Sequence, residues 1–163
     1  MASGKTSVGE VLAKQLQVPH IDLDLEIEKA AQMTIPEIFE RKGEIYFRKM
    51  EHRLFVELLR EPRPFVLSLG GGTPCYSNNH ELLQSDGISS FYLKASVPTL
   101  VERLSVAGQN RPLIELNGAD ALTEFIAKHL FDRSYYYNHA THIVSVDGKS
   151  VEDIASEIRA ALA

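Results

Sequence analysis

The sequence predicts an α/β fold in which helices cover both faces of a parallel β-sheet. Short apolar segments of strand length alternate with longer segments of helical periodicity along all 163 residues. Strands that are separated by helices pair in parallel and form one layer between two layers of helices. Glycine-rich or acidic residues follow these apolar segments, and such sheets bind ligands at the carboxyl ends of their strands. A chain of this length fits one domain, so we expect one site at that edge of the sheet.

The first predicted elements are a helix and a short strand. The helix starts directly after Ser3-Gly4-Lys5-Thr6 and ends before Val18-Pro19. Its apolar residues recur at helical spacing: Val8, Val11, Leu12 and Leu16. A strand is expected from His20 to Asp24, where apolar and acidic residues alternate. The carboxylates of Asp22 and Asp24 would then lie near one end of that strand.

The middle of the chain predicts two helices and a buried strand. The capping box Thr34-Ile-Pro-Glu37 begins a helix that Gly43 interrupts, and a second, charged helix follows over about 44–60. Phe65-Val-Leu-Ser-Leu69 has the length and apolar density of a buried parallel strand. This strand runs directly into Gly70-Gly71-Gly72, which indicates a binding loop at its carboxyl end.

The last part of the chain predicts two more strands with their helices. The strands are expected at 89–93 and 142–146, and the helices over about 96–106, over about 120–136 and from Ser150 onward. The segment 109–118 is polar and rich in turn-forming residues. The βα alternation therefore continues through the whole chain.

Composition and charge exclude several classes of protein. The chain has 17 Lys and Arg against 22 Asp and Glu, so it lacks the basic field that attracts nucleic acid or anionic membranes. It shows no apolar run of membrane-spanning length and no secretory leader. Cys75 is the single cysteine, which excludes an intrachain disulfide and a cysteine-based zinc cluster. We therefore expect a cytoplasmic protein without a nucleic-acid or membrane partner, in which Cys75 is a small buried hydrophobic residue.

Ser3-Gly4-Lys5-Thr6 matches the last four positions of the phosphate-binding pattern G-x-x-x-x-G-K-[ST], whose first glycine would lie two residues before Met1. In that motif backbone N–H groups hold phosphate oxygens, the lysine reaches the β- and γ-phosphates, and the hydroxyl binds Mg²⁺. A solvated tail is the alternative. Because a central strand normally precedes this loop, we also expect that the natural protein begins roughly ten residues upstream of Met1.

Two acidic residues and the glycine run are further candidates. One carboxylate of Asp22 and Asp24 can support a metal while the other faces a substrate hydroxyl. A strand edge or a helix N-cap is the alternative. Gly70-Gly71-Gly72 follows a strand, where consecutive glycines favour a close approach of backbone to a ligand, with a plain tight turn as the alternative.

Three arginines have both a functional and a structural interpretation. Arg48 lies in a helix of mixed charge, where a solvated face is the structural interpretation. Arg133 is near a helix C-terminus, which cations stabilise. Arg111 lies in the turn-rich segment. Its functional interpretation is a lid residue beside a phosphate site, and its structural interpretation is an ordinary surface arginine.

Taken in order, these motifs resemble the shikimate kinase family. The segments that carry the resemblance are Ser3-Gly-Lys-Thr6, Asp22-Leu-Asp24, Phe47-Arg48, Leu69-Gly-Gly-Gly72, Arg111-Pro-Leu113 and Arg133 followed by Tyr. It spans nearly the whole chain. It implies a three-layer α/β/α P-loop kinase fold with a five-stranded parallel sheet, from which the N-terminal central strand is missing here. It also implies one kinase domain over 1–163, with a substrate-binding helical segment at about 24–60 and a mobile lid at about 109–119.

The resemblance further implies a role for each candidate residue. Those expected to bind ATP are Ser3, Gly4, Lys5, Thr6, Ser7 and Arg111. Those expected to bind shikimate are Asp24, Arg48, Gly70, Gly71, Gly72 and Arg133. The expected catalytic residues are Lys5, Asp24 and Arg111. Thr6 and Asp22 would hold Mg²⁺, the two arginines Arg48 and Arg133 would bind the shikimate carboxylate, and Asp24 would orient its hydroxyl.

The activity that the resemblance implies is ATP-dependent phosphorylation of the shikimate 3-hydroxyl, by a monomer, in aromatic amino-acid biosynthesis. One alternative is another P-loop small-molecule kinase, such as a gluconate kinase. A second is an inactive nucleotide-binding module, because the phosphate loop is incomplete. The pair of Arg48 and Arg133 is the feature expected to distinguish shikimate from the alternative substrate. An acidic cyclic substrate requires two guanidiniums that converge beside the glycine loop.

Overall fold

The computed structural model describes residues 2–107 and 118–163. Arg111 and most of the predicted lid, 109–119, lie outside the described residues. The elements of the first half are α1 (Lys5–Leu16), β1 (His20–Asp22), α2 (Leu23–Ala31), α3 (Ile35–Lys42), α4 (Glu44–Leu59) and β2 (Val66–Ser68). Those of the second half are a 3₁₀ turn (Thr73–Cys75), α5 (Asn79–Leu82), β3 (Phe91–Lys94), α6 (Val97–Ala107), α7 (Gly118–Tyr137), β4 (His142–Ser145) and α8 (Val151–Leu162).

The predicted helices and strands occur in the predicted order, with ends shifted by one to three residues, whereas the helices α2 and α5 were not predicted. The capping box at Thr34 is formed in full, and Gly43 separates α3 from α4 at a φ of 83°. The prediction of a strand from His20 to Asp24 is wrong at its end. Asp22 instead caps α2, because its carboxylate accepts hydrogen bonds from the backbone N–H groups of Asp24 and Leu25.

The described strands form two parallel pairs, β1 with β2 and β3 with β4. The predicted parallel pairing is therefore confirmed, whereas a single five-stranded sheet is not seen in residues 2–107 and 118–163. A cavity of about 760 Å³ is lined by both β2 and β3, together with residues of α1 and α8. The two half-sheets thus lie on either side of an apolar space that the same helices cover.

Two separate hydrophobic clusters support the molecule. The larger cluster joins α1 and α8 to β3, β4, α6 and α7, with Ile126 and Val146 fully buried at its centre. The smaller cluster joins α2, α3 and α4, with Ile27, Ile38 and Phe55 at its centre. The helices from Leu23 to Leu59 therefore have a core of their own beside the main one.

In the part of the chain that the structure describes, no helix combines the length and the apolar character needed to cross a bilayer.

Candidate active site

The N-terminus of α1 is exposed and follows a glycine in a left-handed conformation. Gly4 precedes the helix with a φ of 91° and a ψ of 20°, a left-handed conformation that a side chain would strain. The first turn carries no acidic residue, and its residues Thr6 and Ser7 are exposed. Unpaired N–H groups and the helix dipole favour an anion at such a helix start. Ser3 is buried beneath the turn, and its hydroxyl accepts a hydrogen bond from Lys5 Nζ at 3.4 Å.

Lys5 lies at the point where several charges meet. Burial lowers the pKa of the Lys5 ammonium, while the carboxylates of Asp24 and Asp22 oppose that effect. The positive charge of Arg133 lowers this pKa further. The charges of Asp24, the predicted catalytic carboxylate, and of Arg133, the predicted substrate arginine, therefore both act on Lys5.

Thr6 and Asp22 present oxygen atoms side by side. The Thr6 hydroxyl donates to Asp22 Oδ2 at 3.2 Å, while Asp22 Oδ1 accepts from the backbone N–H of Asp24 at 2.9 Å. A hydroxyl and a fixed carboxylate are hard oxygen donors of the kind that Mg²⁺ prefers. Within residues 2–107 and 118–163, no three His, Cys, Asp or Glu side chains are grouped as a metal site. This pair fits a cation that takes its other ligands from water and phosphate.

Asp24 connects the helix start with the glycine turn. A side chain placed on Gly70 would meet Asp24 Oδ1 at 3.1 Å, so the carboxylate packs directly against the turn. Burial raises the pKa of Asp24, and the neighbouring charges of Asp22 and Glu51 raise it further, against the opposing effect of Lys5. A carboxylate that is held partly away from water in this way binds a proton more readily than an exposed one.

Arg48 is held against the glycine turn from the other side. Its guanidinium lies 3.9 Å from the centre of the Tyr76 ring, and its NH1 donates to Glu51 at 2.8 Å. A Cβ on Gly72 would come within 2.7 Å of Arg48 NH2, so only glycine permits this approach. The Nε atom is buried and, among the described residues, lacks a hydrogen-bond partner. It is 3.6 Å from Glu44, close enough for an ion pair but too far for a good hydrogen bond.

The sequence analysis missed the buried network that supports Arg48. Glu51 is only 1% exposed and accepts a hydrogen bond from the Thr73 hydroxyl at 2.8 Å as well as from Arg48. The Asn79 amide donates to the Thr73 carbonyl at 2.9 Å, and Asn79 Oδ1 lies 2.6 Å from His52 Nδ1. The i,i+3 spacing of Arg48 and Glu51 was a visible signal, but sequence alone did not show which face of α4 is buried.

Arg133 reaches the turn through Tyr137, which the sequence analysis did not assign to the site. Arg133 NH1 donates to the Tyr137 hydroxyl at 3.4 Å, and that hydroxyl donates to the Gly71 carbonyl at 2.6 Å. Cys75, just beyond the turn, is half-buried, and burial raises the pKa of its thiol. The charges of both Arg133 and Arg48 lower that pKa, so both guanidiniums lie near one thiol. Arg48 thus lies against Gly72 and Arg133 is linked to Gly71 through Tyr137, so the two arginines converge beside the triple-glycine turn.

Comparison with known proteins agrees with this geometry. The family model described as shikimate kinase matches residues 1–163, the whole chain. The chain belongs to the shikimate kinase family. Among curated members, the shikimate kinase of Flavobacterium johnsoniae is 52% identical over 158 residues, which are 97% of this chain and 92% of that protein. The shikimate kinase of Flavobacterium psychrophilum is 50% identical over the same shares.

Solved structures of the family confirm the α/β P-loop kinase fold. The shikimate kinase of Bacteroides thetaiotaomicron has a TM-score of 0.85 at 30% identity, covering 99% of this chain and 93% of that one. The shikimate kinase of Acinetobacter baumannii in complex with shikimate has a TM-score of 0.82 at 30% identity, covering 99% and 88%. The family predicted from six short motifs is therefore confirmed.

Proposed function

We propose that this member of the shikimate kinase family transfers the γ-phosphoryl group of ATP to the 3-hydroxyl of shikimate in aromatic amino-acid biosynthesis. The observation that carries the proposal is the convergence of Arg48 and Arg133 on the triple-glycine turn, next to Lys5 and Asp24. Planar guanidiniums bind a carboxylate through paired hydrogen bonds, which a simple polyol substrate cannot use. The arrangement therefore favours an acidic substrate over a neutral polyol. Gluconate is also a carboxylate, so the choice of shikimate over gluconate rests on the relatives of 52% and 50% identity that are named shikimate kinases.

The nucleotide occupies the helix-start side of the site. Its phosphates bind the backbone around Ser3, Gly4 and Ser7, and Lys5 neutralises charge on the β- and γ-phosphates. The open first turn of α1 and the position of Lys5 above Ser3 support this assignment. Phosphoryl transfer depends mainly on positioning and charge neutralisation, and these groups supply both.

Magnesium is part of this proposal. Thr6 and Asp22 would hold it, and their adjacent oxygens fit an ion of that kind. The bound ion supplies additional positive charge at the phosphates. Asp22 is the N-cap of α2, and this role fixes its carboxylate beside the Thr6 hydroxyl.

The acid occupies the glycine-turn side. Arg48 and Arg133 bind its carboxylate, together with backbone N–H groups of the turn from Gly70 to Gly72. The approach of the Arg48 guanidinium to Gly72 and the link from Arg133 to Gly71 through Tyr137 support a carboxylate there. A family member with 30% identity is described in complex with shikimate.

Asp24 orients the acceptor hydroxyl and accepts its proton. It lies against both the Gly70 end of the turn and the charge of Lys5, so it stands between the two substrates. A correctly placed carboxylate aligns the hydroxyl with the γ-phosphate and thereby replaces a random encounter with a fixed one.

We extend the proposal to the whole domain. Residues 1–163 form one kinase domain, in which the helical segment at about 24–60 binds the acid and a lid at about 109–119 brings Arg111 onto the phosphates. A fifth parallel strand completes the sheet between β2 and β3, and the apolar cavity that both strands line supports this. A cytoplasmic monomer without a nucleic-acid or membrane partner remains the prediction.

The test is a coupled assay of ADP release with shikimate and, separately, with gluconate. We expect turnover that depends on shikimate and Mg²⁺, both for this chain and for a version extended upstream of Met1. Turnover with gluconate alone would show that the acid assignment is wrong. Binding of ATP without turnover of either substrate by both versions would show an inactive nucleotide-binding module instead.

A further inference from the structure

We propose that Tyr137 is a positioning residue of the acid-binding site, whose hydroxyl fixes the triple-glycine turn and the Arg133 guanidinium in one arrangement. The proposal rests on the proposed function for its kinetic consequence, because it concerns the groups assigned to the shikimate carboxylate. Its structural part, the fixing of the turn, holds for any ligand.

The three glycine carbonyls of the turn accept hydrogen bonds from different donors, and Tyr137 is the donor to the middle one. Gly70 and Gly72 have carbonyls that accept backbone hydrogen bonds inside the turn, from Thr73 at 3.1 Å and from Cys75 at 2.9 Å. The Gly71 carbonyl instead accepts from the Tyr137 hydroxyl at 2.6 Å, with the Cys75 sulfur at a more distant 3.9 Å. The strongest bond on this carbonyl thus comes from a helix 66 residues away in sequence.

Holding that carbonyl also orients the next amide. The described peptide bonds are all trans, so the Gly71 carbonyl and the Gly72 N–H lie in one plane and point in opposite directions. A hydrogen bond on the carbonyl therefore fixes the direction of the Gly72 N–H. Glycine residues have the widest backbone freedom, so this fixation matters more here than in an ordinary turn.

The same hydroxyl also holds Arg133. Arg133 NH1 lies 3.4 Å from the Tyr137 oxygen, and the two residues are four apart on α7, on the same face of the helix. A phenol hydroxyl donates one hydrogen bond and accepts others, so it can serve the carbonyl and the guanidinium together. Burial raises the pKa of Tyr137, so the hydroxyl stays protonated and remains a donor near neutral pH.

The neighbouring tyrosines provide matched controls. Tyr136 instead contacts His80, with 5.1 Å between the ring centres. Tyr92 packs its ring against Tyr137, with 5.0 Å between the centres, and no hydrogen bond to the turn is seen from it in the described structure. Removing either hydroxyl tests the loss of a tyrosine oxygen near the site without loss of the Gly71 contact.

The first test is kinetic and compares Tyr137→Phe with Tyr136→Phe and Tyr92→Phe. We expect KM for shikimate to rise about tenfold in Tyr137→Phe alone, the effect of one lost hydrogen bond, while KM for ATP is unchanged. In the Arg133→Lys background the same substitution should have a smaller effect, because the two residues act as a unit. Equal changes in both KM values, or independent effects of the two substitutions, would show a merely structural role.

The second test does not depend on the identity of the substrate. In protein labelled with ¹⁵N-glycine, Tyr137→Phe should shift the Gly72 amide signal and speed its hydrogen exchange, and the two control variants should not. This result would support the positioning role even if the chain phosphorylates a different acid. An unchanged Gly72 signal in Tyr137→Phe would overturn the proposal, whatever the kinetics of the wild-type chain.

Discussion

The two sides of the active site are built in different ways. On the phosphate side, Thr6 and Ser7 are exposed at the start of α1, and the side-chain hydrogen bonds there are long, at 3.2 Å from Thr6 to Asp22 and 3.4 Å from Lys5 to Ser3. On the acid side, Glu51 is 1% exposed and accepts hydrogen bonds from both Arg48 and Thr73. Backbone amides need little support from other residues to bind phosphate. Long arginine side chains need neighbouring groups that hold them in place.

This difference indicates where binding energy is used. A backbone loop at a helix start is already fixed by the helix, so its amides are ready for an anion. An arginine has many rotamers, and ordering it at the moment of binding would reduce affinity. The buried network around Glu51 orders Arg48 in advance, so the acid side is pre-organised by side chains and the phosphate side by backbone.

The largest expected effect comes from Asp24→Asn, at the boundary of the two sides. Asparagine keeps the shape but cannot accept the proton of the hydroxyl, so we expect kcat to fall by roughly 10²- to 10⁴-fold. The binding of ATP should change little. Steady-state kinetics and calorimetric titration with ATP measure both quantities. A loss of ATP affinity as the sole effect would place Asp24 on the phosphate side.

The same substitution has a predictable effect on stability. Since burial raises the pKa of Asp24 in the folded state above its ordinary value, ionisation of this carboxyl group weakens the folded state progressively as pH rises from the ordinary pKa through the folded-state pKa. Asp24→Asn removes this penalty, so its Tm should exceed that of the wild type at pH 7 and approach it near pH 3. Thermal unfolding across this range tests the sign. An identical Tm difference at both pH values would contradict it.

The second-largest effect is expected from Lys5→Met, which changes the phosphate side and leaves the acid side intact. Lys5→Met removes the ammonium that faces the phosphates, and loss of one such group costs roughly 10²- to 10³-fold in kcat. Calorimetric binding of shikimate should be nearly unchanged, because the acid network does not include Lys5. Lys14→Met, at an exposed position of the same helix, is the control. A matching loss of shikimate affinity in Lys5→Met would show that the two sides are not separate.

The third effect isolates the acid side. Arg133→Lys keeps the charge and loses the planar fork, at a cost of about 1–3 kcal/mol for a charge-assisted pair. We therefore expect KM for shikimate to rise roughly 5- to 150-fold while KM for ATP stays constant. Arg53→Lys, an exposed arginine on α4, serves as the control. An unchanged KM for shikimate would remove Arg133 from the site.

The smallest effect tests the fit between the turn and Arg48. In Gly72→Ala the new Cβ would lie 2.7 Å from Arg48 NH2, so the guanidinium must move. The backbone itself is not strained, because φ at this position is −90°. We expect KM for shikimate to rise by about tenfold, the cost of one misplaced hydrogen bond. In the Arg48→Ala background Gly72→Ala should change nothing further, and an added effect there would show a different cause.

The sequence predicted the phosphate side more completely than the acid side. Ser3-Gly4-Lys5-Thr6 is a contiguous motif, so its chemistry could be recognised without a fold. Asp22 was assigned to the metal with a helix N-cap as the alternative, and the structure shows that its carboxylate caps α2. Short-range motifs of this kind are visible in a sequence because their residues are neighbours.

The support of the acid side could not be predicted, because its parts are distant in sequence. Glu51 and Thr73 are 22 residues apart, and Tyr137 and Gly71 are 66 apart. Only the packing of α4 and α7 against the turn brings them together. The separation of the strands into two pairs is different, because the sequence analysis already expected a central strand to be missing from this chain.

The two arginines that are proposed to bind the substrate carboxylate belong to helices of different hydrophobic clusters. Arg48 extends from α4, which packs in the smaller cluster around Phe55, whereas Arg133 extends from α7, which packs in the larger cluster around Ile126. A carboxylate bound by both guanidiniums becomes a cross-link between these two bodies. Shikimate should therefore make thermal unfolding sharper as well as later, since the halves of the molecule would then melt as one.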